Sequence, residues 1–113
     1  MKLQEQKCEP CRGGMPPLTQ EEARTLLSEI PQWSLKDNSI ERTFQFKDFK
    51  EAIDFVNKVA ETANKEDHHP DIHIYYNKVR IELSTHKIKG LSKNDFILAA
   101  KINALAGTGV MSK

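Results

Sequence analysis

The sequence predicts an α+β fold, a two-layer sandwich with an antiparallel sheet on one side and helices on the other. Three segments repeat their apolar residues at helical spacing behind a start signal, and two segments alternate apolar and polar residues on either side of a two-residue turn. They run in the order helix, hairpin, helix, hairpin, helix. Strands with one apolar face and helices with one apolar stripe bury those faces against each other and leave the polar faces in water. A chain of 113 residues has room for one such core.

Residues 1–17 hold Pro10, Gly13, Gly14, Pro16 and Pro17, which break any periodicity, so an extended or mobile leader is expected there. The domain is expected over 18–107, and 108–113 form a tail. Thr19 and Glu22 have the spacing of a capping box, in which hydroxyl and carboxylate each satisfy a free backbone N–H at a helix start. Ala23, Leu26, Leu27 and Ile30 then follow at i, i+3, i+4 and i+7, and Pro31 stops the helix. Trp33 and Leu35 alternate with polar neighbours, Asp37-Asn38 reads as a turn, and Ile40 to Phe46 alternates again with Phe44 and Phe46 on one side.

Asp48 with Glu51 repeats the helix-start spacing, and Phe49, Ala52, Ile53, Val56, Val59, Ala60 and Ala63 mark one face of a helix of about four turns. After Pro70, Ile72 to Tyr76 alternates, Asn77-Lys78 supplies a two-residue turn, and Val79, Ile81 and Leu83 alternate with Arg80, Glu82 and Ser84. Gly90 ends the connection. Ser92 with Asp95 caps a last helix that is apolar around much of its circumference, from Phe96 through Ala106, and such a helix is expected to meet another subunit.

Lysine and arginine number 17 against 16 acidic residues, so no global field draws the chain to nucleic acid or an anionic membrane, and a small ligand is the expected partner. The N-terminus lacks the apolar core of a secretory signal, and no window approaches the ~18 apolar residues that would span a bilayer. A cytoplasmic protein is expected. Cys8 and Cys11 fall in the leader, outside any segment patterned like a core. Two cysteines cannot fill a tetrahedral zinc site, so Cys8-Glu-Pro-Cys11 is read as incidental.

All four histidines lie between positions 68 and 86. With Asn77-Lys78 as the loop, Tyr76 faces Val79 and His69 lies opposite His86, which brings two imidazoles to roughly 5 Å at Cβ with His68 beside them. Imidazole titrates near pH 6.5, so neighbouring rings can hold and pass a proton at neutral pH. The plainer alternative is a polar strand end. A metal site is the rival chemistry, because Asp67 and Asp71 are near, but the helical His-x-x-x-His spacing is missing, and no metal is expected. His73 alternates onto the face of Tyr75, Arg80 and Glu82, where a solvated histidine is the default.

The run Asp67-His68-His69-Pro70, then Tyr76-Asn77-Lys78-Val79, then Leu83-Ser84-Thr85-His86, then Gly90-Leu91-Ser92 and Asp95, resembles the pterin-4a-carbinolamine dehydratases. The match covers roughly residues 18 to 106, and Leu18-Thr19 and Trp33 fit more loosely. The resemblance implies a four-stranded antiparallel sheet with three helices on one face, and assembly into dimers and tetramers. It implies that water is eliminated from a 4a-hydroxytetrahydropterin, released by an aromatic amino acid hydroxylase, to give the quinonoid dihydropterin. By the same resemblance His68, His69 and His86 surround the substrate, and Asp67, Pro70 and Thr85 are substrate-binding residues from the same runs.

Elimination asks for a proton on the leaving oxygen and removal of one from a ring nitrogen, so two imidazoles of opposite protonation suffice without metal or cofactor. One of His69 and His86 is then the acid, and His68 binds or takes the second proton. The chain departs from many relatives at Asn64, where they carry glutamate, and at Ile72 and His73, where animal relatives have bulky aromatics. Asp95 belongs to the family pattern, yet its spacing from Ser92 makes a capping role the expected one. The other function class is a non-catalytic binding protein, a dimerisation or assembly cofactor on the same fold.

Overall fold

The structure, a computed structural model, describes residues 3 to 6, 8, 16 to 85, 88 to 106, and 111 to 112. A short 3-10 turn at Leu3–Glu5 precedes α1 (Gln20–Leu27), β1 (Ser34–Lys36), β2 (Ser39–Gln45), α2 (Phe49–Glu66), β3 (Asp71–Tyr75), β4 (Lys78–Leu83), α3 (Lys93–Ala106) and a two-residue β5 (Met111–Ser112). The sheet runs β1-β2-β4-β3, all antiparallel, and β5 pairs with β2 at Phe44 and Gln45. The expected four strands and three helices are therefore present, and the stub at 111–112, in the expected tail, extends the sheet.

The helix starts form as their spacing dictates. At α1 the Thr19 hydroxyl accepts from the Glu22 N–H at 3.1 Å and the Glu22 carboxylate accepts from the Thr19 N–H at 2.9 Å, a complete capping box. At α2 the Asp48 carboxylate accepts from the Glu51 N–H at 2.9 Å. The apolar face of α2 is turned from its expected position: Ala52, Phe55, Val59 and Ala63 are buried, while Phe49 and Ala60 are exposed. Phe55 sets this rotation, because its ring packs 4.8 Å from that of Phe44 and 5.0 Å from that of Phe46.

One face of the sheet carries Leu35, Ile40, Phe44, Val79, Ile81 and Leu83 against the helices. Arg42 sits among them. Its guanidinium lies 4.2 Å from the centre of the Phe44 ring and donates to Asn103 Oδ1, which also accepts from the Trp33 indole. Helix α3 is the centre of the helical layer, in contact with α2, α1 and the N-terminal turn, and everything from Asn94 to Ala100 is buried. Its all-round apolarity, expected to serve a second subunit, is accounted for by burial within this chain.

The N-terminus also differs from an extended leader at its described residues: Leu3 is 4% exposed in the core, and Cys8 packs against that core. No helix among the described residues is long and apolar enough to cross a membrane.

Candidate functional site

The second hairpin turns one residue earlier than expected. Tyr76 and Asn77 form the turn, Tyr76 in the left-handed region at φ 54°, and the ladder pairs Tyr75 with Lys78 and Ile74 with Val79. Asn77 explains the choice: its side-chain amide donates to the Phe46 carbonyl at 3.0 Å and its carbonyl accepts from the Phe46 N–H at 2.8 Å, which ties the turn to the end of β2. The register is thus shifted by two residues, and the expected opposition of His69 and His86 does not follow from it. His86 itself lies outside the described residues.

A different device gathers the site. Helix α2 ends at Asp67, which takes the left-handed conformation (φ 51°, ψ 41°) that asparagine and aspartate tolerate better than most residues. The following His68 N–H reaches back to the Ala63 carbonyl at 3.2 Å, closing the helix and reversing the chain. That reversal aims the His68 ring at α3, where Nε2 lies 2.5 Å from Asp95 Oδ1. The His68 side chain is 10% exposed and that of Asp95 is fully buried.

Asp95 is held from its other oxygen. Oδ2 accepts from the Ser92 backbone N–H and from the Thr85 hydroxyl, each at 2.9 Å. Because Thr85 spends its one hydroxyl hydrogen on Asp95, the 2.7 Å contact between Thr85 and Ser92 must be donated by Ser92. The expected capping role of Asp95 is therefore present through Oδ2, and Oδ1 in addition faces a histidine. Nothing in local spacing shows that the capping carboxylate also reaches His68. As its carboxylate oxygens only accept, His68 donates from Nε2, which leaves Nδ1 of the neutral ring with a lone pair.

His69 is exposed, and its Nε2 lies 3.0 Å from Asn64 Oδ1, one helical turn back on α2. Asn64, singled out in the sequence as a departure from the resembled pattern, thus contacts the second histidine of the pair. Asp67 is exposed and serves as the helix cap, Pro70 is half-buried ahead of β3, and Thr85 is buried just beyond β4, where it bridges to Gly90. A shallow cavity of about 220 Å³ opens beside Thr85, lined also by Asn38, Ser84, Lys89 and Gly90. His73 faces Arg80 across the ladder on the outer side of the sheet, as expected, 3.8 Å from Glu82. Among the described residues no group of three histidine, cysteine or acidic side chains could hold a metal ion.

The fold and this arrangement define a small α+β protein with a buried histidine–carboxylate pair bridging the end of one helix and the start of another. The family model for pterin 4 alpha carbinolamine dehydratase matches residues 16–105. A relative from Nitrosomonas eutropha, named for the same family, is 53% identical over 104 residues, covering 91% of this chain and 92% of its own. One from Methylococcus capsulatus, named alike, is 53% identical over 106 residues, covering 92% and 93%. The crystal structure of a transcriptional coactivator/pterin dehydratase from Brucella melitensis superposes with a TM-score of 0.78 at 38% identity, over 80% of this chain and 99% of that one. The chain belongs to the pterin-4-alpha-carbinolamine dehydratase family. A pterin dehydratase-like protein identified as a RuBisCO assembly factor is also similar, with a TM-score of 0.57 over 68% of this chain and 89% of that one; at 22% identity this likeness speaks for the fold alone.

Proposed function

We propose that this protein eliminates water from a 4a-hydroxytetrahydropterin to give the quinonoid dihydropterin, with His68, His69 and His86 supplying acid and base. The observation that carries this reading is the 2.5 Å contact between His68 and Asp95 in a chain of this family. In the reaction the C4a–O bond breaks, the oxygen gains a proton and leaves as water, the adjacent ring nitrogen loses its proton, and a C=N bond forms. Nothing is oxidised or reduced. One imidazole carrying a proton and one with a free lone pair meet both demands.

Asp95 fixes His68 with Nδ1 as its open nitrogen, so His68 is suited to bind the substrate or take the ring proton. His69, exposed and steadied by Asn64, and His86, next to Thr85, are the candidates for delivering the proton to oxygen. Asp67, Pro70 and Thr85 would contact the pterin, Thr85 through the rim of the cavity beside it. An aromatic amino acid hydroxylase in the same, cytoplasmic, compartment would supply the substrate. A dimer or tetramer is supported by β3, which lies at the sheet edge with Ile74 and Tyr75 exposed.

The test is to add the purified protein to a hydroxylase reaction and follow decay of the 4a-hydroxypterin absorbance. Acceleration that falls about 100-fold on replacing His68, His69 or His86 by alanine supports the reading; undiminished rates in all three variants overturn it. The Brucella melitensis protein is described as both coactivator and dehydratase, which keeps a binding role as the second reading. An inactive protein that captures a defined polypeptide partner would put that reading first.

A further inference from the structure

The residues before α1 reach both halves of the candidate site. Cys8 is the point of attachment. Its backbone N–H donates to Glu66 Oε1 at 2.8 Å, and its thiol lies 3.6 Å from the carbonyl oxygen of Asn94. Glu66 is the last residue of α2, separated from His68 only by the left-handed Asp67, and Asn94 directly precedes Asp95 in the first turn of α3. One residue therefore touches the chain beside each member of the His68–Asp95 pair. On the amino side, Leu3 buries its side chain in the core and its turn packs on α3. On the carboxyl side, the Leu18 N–H donates to the Leu91 carbonyl at 2.8 Å, next to Ser92.

The two contacts at Cys8 differ in strength. A backbone N–H donated to a carboxylate is charge-assisted, whereas a thiol is a weak donor. The thiol is pushed up to about 12, first by burial and then by the Glu66 carboxylate, so at neutral pH it stays protonated and donates to Asn94. That state excludes a thiolate nucleophile here and leaves anchoring as the role the geometry supports.

We propose that Glu66 and Cys8 are positioning residues: through them the N-terminal segment straps the end of α2 to the start of α3 and fixes the spacing across which His68 meets Asp95. A strap matters because the pair spans 27 residues of sequence and its hydrogen bond fails with a shift of about 0.5–1 Å, while the only turn between Glu66 and His68 is a single left-handed residue. The effect on turnover rests on the function proposed above; the effect on the His68–Asp95 hydrogen bond does not.

Four full-length variants test this: Glu66→Ala, Glu66→Gln, Cys8→Ala and Cys8→Ser. Two quantities are read in each, the dehydration kinetics and, by NMR, the exchange with water of the His68 Nε2 proton. Glu66→Ala is expected to lower kcat about tenfold with KM within about twofold, since misplacement of a reacting group falls on turnover. It should also speed exchange of the His68 proton by a similar factor. Glu66→Gln, whose amide oxygen still accepts from Cys8, should rescue both. Cys8→Ala should act in the same direction by about threefold, and Cys8→Ser, which keeps a donor for Asn94, should restore it.

Native kcat and native exchange in Glu66→Ala would overturn the strap. So would an equal loss in Glu66→Gln, because it would assign the effect to the Glu66 charge and not to the tie. Should Glu66→Ala fail to fold, the Cys8→Ala and Cys8→Ser pair decides on the same readouts. If the unaltered protein has no dehydratase activity, the functional reading falls, and proton exchange alone still rules for or against the strap.

Discussion

Among the described residues two histidines stand beside carboxylates, and their surroundings set them apart. His68 meets Asp95 at 2.5 Å with the side chains 10% and 0% exposed, and the remaining carboxylate oxygen is filled by Thr85 and Ser92. His73 meets Glu82 at 3.8 Å with the side chains 39% and 29% exposed, and Glu82 is shared with Arg80, which also reaches Glu41. Composition does not distinguish the two pairs. Burial does, because water and ions screen the outer pair to a fraction of a kcal/mol, whereas the inner groups have no solvent to fall back on. A histidine cluster in a sequence divides into buried pairs and surface groups only once the partner carboxylates are located.

The sharpest way to break the comparison is to remove each carboxylate. Asp95→Ala leaves the His68 N–H, the Thr85 hydroxyl and the Ser92 N–H without an acceptor in the interior, and should cost about 3–5 kcal/mol in chemical denaturation. Glu82→Ala should cost under about 1 kcal/mol. Equal losses would erase the distinction. The histidines themselves come next: His68→Ala should slow dehydration about 100-fold, while His73→Ala leaves the rate unchanged in the same assay.

Packing around the inner node offers a smaller effect. A Cβ at Gly90 would stand 2.6 Å from Pro17 Cβ, so Gly90→Ala must displace the chain that bonds Leu18 to Leu91, at a cost of about 1–3 kcal/mol read from the thermal midpoint. The smallest effect belongs to the outer face. Hydrogen bonds from Lys36 and then Arg80 hold the Glu41 carboxyl below its ordinary 4.5, so the ionised form is favoured by folding. Its contribution is present above that value and is lost as pH falls through the folded-state value. Glu41→Gln should therefore destabilise the protein by under about 1 kcal/mol near neutrality and by nothing measurable in more acid solution, as urea midpoints across pH would report.

Much of the architecture was legible because it is written locally. Thr19 with Glu22, Asp48 with Glu51, and the alternation of Val79, Ile81 and Leu83 each specify an element within a few residues. What escaped depends on partners distant in sequence. Arg42 occupies an inward position of β2 because Asn103 and the Phe44 ring receive it there, and Phe55 turns α2 because Phe44 and Phe46 lie beneath it. The hairpin turn moved because Asn77 bonds Phe46, a contact that turn statistics do not contain. His68, His69 and Thr85 could be singled out as residues; the means of assembly could not, since Asp95 reads as a cap and its contact with His68 crosses 27 positions.

The proposed dehydration requires a pterin at the His68 end of the molecule and not on the His73 face. Histidine-selective NMR during titration with an oxidised, unreactive pterin tests it directly. Saturable shifts of the His68, His69 and His86 ring signals are expected, with that of His73 stationary. Movement of His73 alone, or stationary signals from all four rings while the pterin is demonstrably bound, would contradict it.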